Sequence, residues 1–212
     1  MSSSSEPGVG HQFPSTPVSW LKRDVLLFAN SIGCTASELH FLYELHPSFT
    51  PFPTYPIILP FKHTDTEVVD FYARSSSGAS SIPGVPKLDT RRVVDGERKI
   101  EFLKRLPTSS GEGKWEIRSK VLGVYDKGKP GTVVETEQLL VGSEGGKEEV
   151  FARMVGSAFY VGQGGWGGPK GAFKPFSFNS CTCSATGLLR NNKPLPHIGG
   201  SPAETFHQAR KR

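Results

Sequence analysis

The sequence of 212 residues predicts an α+β chain built on one curved antiparallel sheet. Three observations carry that expectation. Four runs of strand character fall within about 65 residues, from Arg98 to Val161. Turns rich in glycine and proline separate the last three of them. Upstream, one amphipathic segment and a proline-dense stretch leave room for brief helices only.

Residues 1–15 are polar, small and proline-containing, the composition of a disordered leader. A helix is predicted next, capped by Thr16 or Ser19, with Pro17 tolerated in its first turn. Leu21, Val25, Phe28, Ala29 and Ile32 recur at helical spacing and give it one apolar face, and Gly33 is a plausible stop. Asp24 within it reads as a solvated helix residue. His40-Phe-Leu-Tyr-Glu44 reads as a short strand. Pro47 to Pro60 holds five prolines, a density that forbids a long uninterrupted helix. Ser75-Ser-Ser-Gly-Ala-Ser-Ser81 reads as a flexible insertion.

The sheet follows as a meander. Arg98-Lys-Ile-Glu-Phe-Leu103 alternates polar and apolar residues, and Lys114 to Tyr125 is long and rich in β-branched and aromatic residues. The turn Asp126-Lys-Gly-Lys-Pro-Gly131 leads into Thr132 to Val141, so these two runs are expected to pair as a long hairpin. Gly142-Ser-Glu-Gly-Gly146 then leads into Val150 to Val161. Gly162 to Gly171 lacks the lysine and hydroxyl of a phosphate-cradling loop and has no helix starting behind it. It reads as an exit loop in which Trp166 pins the chain to the core. Residues 172–212 sustain no periodicity and are expected to form an irregular or disordered tail.

Composition narrows the function classes. The formal charge is +5 and the pI near 9.1, but the basic residues are scattered among 20 acidic ones, so no nucleic-acid surface is expected. A mild positive bias also suits an anionic small ligand. Cys34, Cys181 and Cys183 form neither a disulfide framework nor a complete zinc site, so no metal is expected. The start of the chain lacks a signal-peptide pattern, and no apolar run approaches the ~20 residues of a bilayer span.

Catalytic patterns are sparse. No Gly-x-Ser-x-Gly elbow occurs. Cys34 follows a helix C-terminus, where a thiolate is disfavoured. His63 and Asp65 bring an imidazole and a carboxylate close in sequence, with Glu67 and Asp70 beyond, but Lys62-His-Thr-Asp-Thr-Glu67 equally describes a solvated loop. His40 and His46 read as structural.

Several motifs together resemble a known family. They are Arg23-Asp-Val-Leu-Leu-Phe-Ala-Asn30, Leu39-His-Phe-Leu-Tyr-Glu44, Phe52-Pro-Thr-Tyr-Pro-Ile-Ile-Leu59, Val94-Asp-Gly-Glu-Arg98, Leu103-Lys-Arg-Leu-Pro107, Leu122-Gly-Val-Tyr-Asp-Lys-Gly-Lys129 and Phe159-Tyr-Val-Gly-Gln-Gly-Gly-Trp-Gly-Gly-Pro169. In this order they resemble the N-terminal half of the MaoC-like type-2 enoyl-CoA hydratases, the double-hotdog dehydratases of peroxisomal multifunctional enzymes and fungal gene clusters. The resemblance implies a hotdog fold over residues 16–171, the sheet wrapped around a short central helix that begins in Pro53 to Leu59 and is shortened by Pro56 and Pro60.

It also implies a chemistry, the hydration of enoyl-CoA or dehydration of 3-hydroxyacyl-CoA in fatty-acid oxidation or fungal secondary metabolism. Such a reaction needs a carboxylate, an imidazole and an oxyanion donor together. In the family the acid and base belong to the second repeat, in the form Gly-Asp-x-Asn-Pro-x-His. This chain holds no Asp-x-Asn-Pro, so no catalytic residue is carried over. The substrate side remains: Tyr55, Ile57, Ile58, Phe61 and Phe71 are implied tunnel residues, and Arg91, Arg92 and Lys170 are candidates to meet coenzyme A phosphates. No cofactor is implied beyond the coenzyme A thioester as substrate or ligand. Two hypotheses follow, a hydro-lyase that works with another hotdog chain, or a non-catalytic acyl-CoA-binding or scaffold module. Either is expected as a homodimer or beside another hotdog chain. The family points to the peroxisome, although Ala209-Arg-Lys-Arg212 is not a Ser-Lys-Leu type signal, and otherwise the cytoplasm is expected. Family-like sequence stops at Gly171, as a truncated or mispredicted reading frame would also give.

Overall fold

The computed structural model describes residues 6–68, 70, 81–144 and 147–171. Phe71, most of the serine-rich loop and the tail from residue 172 lie outside the described residues. The elements are β1 (Thr16–Pro17), α1 (Lys22–Ser31), a 3-10 turn (Ala36–Glu38) running into α2 (Leu39–Leu42), a 3-10 turn (Tyr55–Ile58) running into α3 (Leu59–Lys62), a further 3-10 turn (Thr90–Arg92), β2 (Val93–Phe102), β3 (Lys114–Asp126), β4 (Gly131–Glu144) and β5 (Lys147–Val161).

The strands form one five-stranded antiparallel sheet in the order β1-β3-β4-β5-β2. The expected hairpin is present: β3 and β4 pair from Lys114↔Ser143 to Asp126↔Thr132. The meander is not followed at its start, because β2 crosses to the far edge and pairs with β5. Register shifts at Asp95/Glu97, Val121/Gly123 and Leu140/Val141 mark bulges, the local bends by which a sheet curls.

Residues 6–15 depart from the expected disordered leader. They run along β3: Gly10 N–H donates to Val121 O at 2.9 Å, Phe13 N–H to Ser119 O at 3.0 Å, and Val121 N–H to His11 O at 2.9 Å. The outer row of β3 backbone groups otherwise lacks partners, which gives this polar segment its reason to order. Composition alone does not contain that reason.

The helix begins at Lys22, later than expected, because Thr16–Pro17 is taken into β1. Neither Thr16 nor Ser19 caps it; the Asp24 carboxylate accepts Leu21 N–H at 2.9 Å instead. Val25 and Ala29 are buried and Phe28 packs on the core, whereas Leu21 and Ile32 stay exposed. Gly33 adopts φ +88°, as a helix stop requires. His40–Glu44 is also corrected: a box between Thr35 and Glu38 starts a turn that α2 continues, with Tyr43 N–H donating to Leu39 O at 2.8 Å. Local capping outweighs the β-propensity of Phe41 and Tyr43.

The central element, Tyr55 to Lys62, is short as expected. Pro56 and Pro60 sit early in their respective turns, where a missing N–H costs no intrahelical bond. One face of the sheet carries two apolar clusters. Under the central helix, Trp20, Val25, Tyr55, Leu59, Trp115, Ile117, Leu140 and Met154 form the larger. Trp20 meets Trp115 edge-on with ring centroids 4.7 Å apart. Nearer the opposite end, Val121, Val124 and Val134 gather Phe13, Leu88, Tyr160 and Trp166. The other face is charged: Lys120, Glu137, Arg153, Glu101 and Lys99 form successive ion pairs across four strands.

Candidate functional site

The implied tunnel residues separate by depth. Tyr55 is fully buried, Ile57 and Ile58 half-buried, and Phe61 exposed; the neighbouring Leu59 is fully buried as well. The Tyr55 ring meets Phe28 edge-on at 5.5 Å and Trp20 at 6.4 Å. Its hydroxyl has no hydrogen-bond partner among the described residues. Burial pushes the phenol pKa well above its ordinary value, and the nearby Asp24 charge adds to the shift.

At the C-terminal end of α3, Lys62 Nζ donates to Ser19 O at 2.9 Å and Asp65 O at 2.5 Å, and lies 3.4 Å from Asp24 Oδ2. Asp24 is thus an interior partner of Lys62 and not a solvated helix residue. His63 adopts φ +54°, unusual for a side chain with a Cβ, and its carbonyl accepts Ser19 N–H at 3.1 Å. Its Nε2–H donates to Pro60 O at 2.9 Å, which fixes the tautomer. The His63 backbone and ring both serve the reversal of the chain after α3.

The implied phosphate ligands sit elsewhere. Arg91 grips Asp89 through Nε at 3.0 Å and Nη2 at 3.1 Å, and Arg92 approaches the same carboxylate at 3.6 Å. The Arg91 hydrogen bonds hold the Asp89 carboxyl at a pKa of about 2. Gln163 fastens this turn to the end of β5, accepting Asp89 N–H at 2.5 Å and donating to Asp89 O and Arg92 O. Lys170 is exposed, and its carbonyl accepts Lys127 Nζ at 2.5 Å. From Ile117, beneath the central helix, to Tyr125 beside this end is eight strand residues, about 26 Å. The apolar and basic candidates therefore lie at opposite ends of the sheet.

The glycine-rich exit is organised by Asp126. Its carboxylate accepts the amides of Gly128 at 2.8 Å, Gly165 at 2.6 Å, Gly167 at 2.8 Å and Gly168 at 3.3 Å. Those bonds, Gly165's foremost, hold its pKa below the usual aspartate value. Trp166 Nε1–H donates to the buried Thr132 hydroxyl at 3.0 Å, and that hydroxyl donates to Gln163 O at 2.6 Å. A Cβ on Gly164 would meet Gly131 O at 2.5 Å and Gly128 O closer still, so only glycine fits there.

Sequence reasoning gave no role to an open groove of about 290 Å³. Phe49 and Thr50, before the central helix, form one side; Arg105 to Thr108, between β2 and β3, form another, and Phe151 of β5 closes it. The one available signal was Leu103-Lys-Arg-Leu-Pro107, where basic and apolar residues adjoin. Among the described residues no group of histidine, cysteine and carboxylate side chains forms a metal site, and no helix is long and apolar enough to cross a membrane.

Comparison with known proteins bears on this arrangement. The family description "MFE-2 hydratase 2 N-terminal domain" matches residues 19–162. The protein named "Probable dehydratase NIT22" of Ajellomyces capsulatus is 54% identical over 172 residues, which are 79% of this chain and 45% of that protein. The "Probable enoyl-CoA hydratase 2" of Dictyostelium discoideum is 28% identical over 163 residues, 77% of this chain and 50% of that one. A crystal structure of a MaoC-like dehydratase from Phytophthora capsici superposes with a TM-score of 0.62 at 30% identity, over 78% of this chain and 52% of that chain. The chain spans about half the length of the curated relatives it matches.

Proposed function

The chain belongs to the family of the MFE-2 hydratase 2 N-terminal domain, a MaoC-like hotdog family, and from that premise we propose that it is the substrate-side half of an enoyl-CoA hydratase or 3-hydroxyacyl-CoA dehydratase. In this reading the chain holds the acyl part of a coenzyme A thioester near Tyr55, Ile58 and Phe61. A second hotdog, in another chain or another segment, brings the carboxylate and imidazole.

The observation that carries the reading is the absence from the sequence of the Gly-Asp-x-Asn-Pro-x-His motif for acid and base, in a chain that spans about half the length of the curated relatives it matches. Association is supported by β2, which among the described residues has a strand neighbour on one side only and exposes Val94. The peroxisome is the proposed compartment on family grounds.

A second reading, an acyl-CoA-binding scaffold that never takes part in turnover, draws on the same absent motif. The experiment that separates the two follows hydration of crotonyl-CoA and longer trans-2-enoyl-CoA at the enone absorbance. The purified chain is assayed alone and then with a MaoC-like hotdog bearing the Asp and His motif. Turnover only in the mixture supports the first reading. Acyl-CoA binding by calorimetry with no turnover in either assay supports the scaffold. Turnover by the chain alone, abolished by His63→Ala, overturns both.

A further inference from the structure

Arg105 differs from the other arginines of the described residues. Arg23, Arg91, Arg92, Arg98, Arg118 and Arg153 each lie within 4 Å of a carboxylate. Arg105 has only a long contact, Nε to the Thr50 hydroxyl at 3.4 Å. Its neighbour Lys104 is neutralised by Glu149, so the positive charge beside the groove is that of Arg105.

The groove next to it is amphipathic. Phe49, Leu106 and Phe151 are half-buried and pack against the larger core cluster, so the groove is a flank of that core left open to solvent. Phe151 is held in place by Trp115, with ring centroids 4.6 Å apart. The Thr50 hydroxyl stands beside the guanidinium, and Thr108 also lines the groove. At about 290 Å³ the space is at the small end of ligand pockets. An apolar wall withdraws a hydrocarbon body from water, and an uncommitted guanidinium fork matches two oxygens of one carboxylate.

We propose that this groove binds a medium-chain carboxylate, its head on the Arg105 guanidinium and its hydrocarbon body on Phe49, Leu106 and Phe151. The inference is independent of the thioester reading. The ligand carries no coenzyme A, and Tyr55, Ile58 and Phe61 do not line the groove.

The test titrates sodium octanoate into the full chain, with affinity from calorimetry and location from amide chemical shifts. Saturable binding is expected, with shifts centred on Thr50, Leu106, Thr108 and Phe151. Arg105→Gln is expected to weaken it about tenfold or more, as the loss of a charge-assisted pair does. Arg105→Lys should fall between, and octylamine, with the opposite charge, should not bind. Because Arg105 is exposed and makes one long contact, the fold tolerates both substitutions. The proposal is overturned by any of four results: no saturation, unchanged affinity in Arg105→Gln, equal binding of octylamine, or shifts centred on Tyr55 and Ile58.

Discussion

Lys62 Nζ stands 3.4 Å from Asp24 Oδ2, with the two side chains only 16% and 15% exposed. The pair joins the end of α3 to the start of α1; Asp24 also accepts Leu21 N–H and lies 3.6 Å from the exposed Arg23 Nε, and Lys62 donates to Ser19 O. Removing Lys62 leaves the mostly buried Asp24 with only the exposed Arg23 as its counterpart. Lys62→Ala is therefore expected to cost about 1–3 kcal/mol in urea unfolding. The double variant with Asp24→Ala should lose less than the sum of the single losses.

Tyr55 gives the opposite expectation. Its hydroxyl is buried with no partner, so Tyr55→Phe removes a desolvated polar group and leaves the ring contacts to Phe28 and Trp20 in place. Stability should be unchanged or rise by up to about 1 kcal/mol. Leu59→Ala, one turn along, opens a void in the same cluster and should cost about 2–5 kcal/mol. Denaturant midpoints at or above the parent for Tyr55→Phe and below it for Leu59→Ala would check both.

The Asp89–Arg91 pair sets a pH dependence. The folded carboxyl titrates near 2, below its ordinary value of 3.8, so folding favours the charged form. The resulting stabilisation is fully present above the ordinary value and is lost as pH falls through about 2. Carbon-detected titration of the Asp89 carboxyl should give that midpoint. Arg91→Ala should move it upward towards 3.8, and a midpoint already near 3.8 in the parent would contradict the grip.

Asp126 is expected to govern the order of the glycine-rich exit. Asp126→Asn keeps the shape but replaces one accepting oxygen with an amide nitrogen facing N–H donors. Hydrogen exchange at Gly165, Gly167 and Gly168 should accelerate about tenfold or more, while Leu140 and Met154 amides in the sheet stay protected. Gly164→Ala should accelerate the same loop through a different cause, the collision of its Cβ with Gly128 O and Gly131 O.

Much of the sheet was legible because its signal is local. The β3–β4 hairpin follows from alternation, β-branched content and a Gly-Pro turn within one stretch of chain, and Pro56 and Pro60 announced a short central helix. What was not legible depended on partners distant in sequence. Residues 6–15 order only because β3 offers an unpaired edge, and β2 leaves the meander to pair with β5. Asp24 looked solvated because Lys62, its partner, comes 38 residues later. Apolar character does not give depth: among the implied tunnel residues Tyr55 is fully buried and Phe61 exposed. The groove went unread because its walls come from three separate segments.

The single-sided pairing of β2 has a thermodynamic consequence. Ten residues of strand carry backbone groups that a second strand would saturate, and Val94, Phe102 and Leu103 add apolar area to that margin. Folding and assembly then become linked equilibria. If the margin pairs, the melting temperature rises with protein concentration, because mass action adds to the free energy of the folded state. In that case the stability of the fold is a property of the solution as much as of the sequence, and dilution is the simplest way to weaken it.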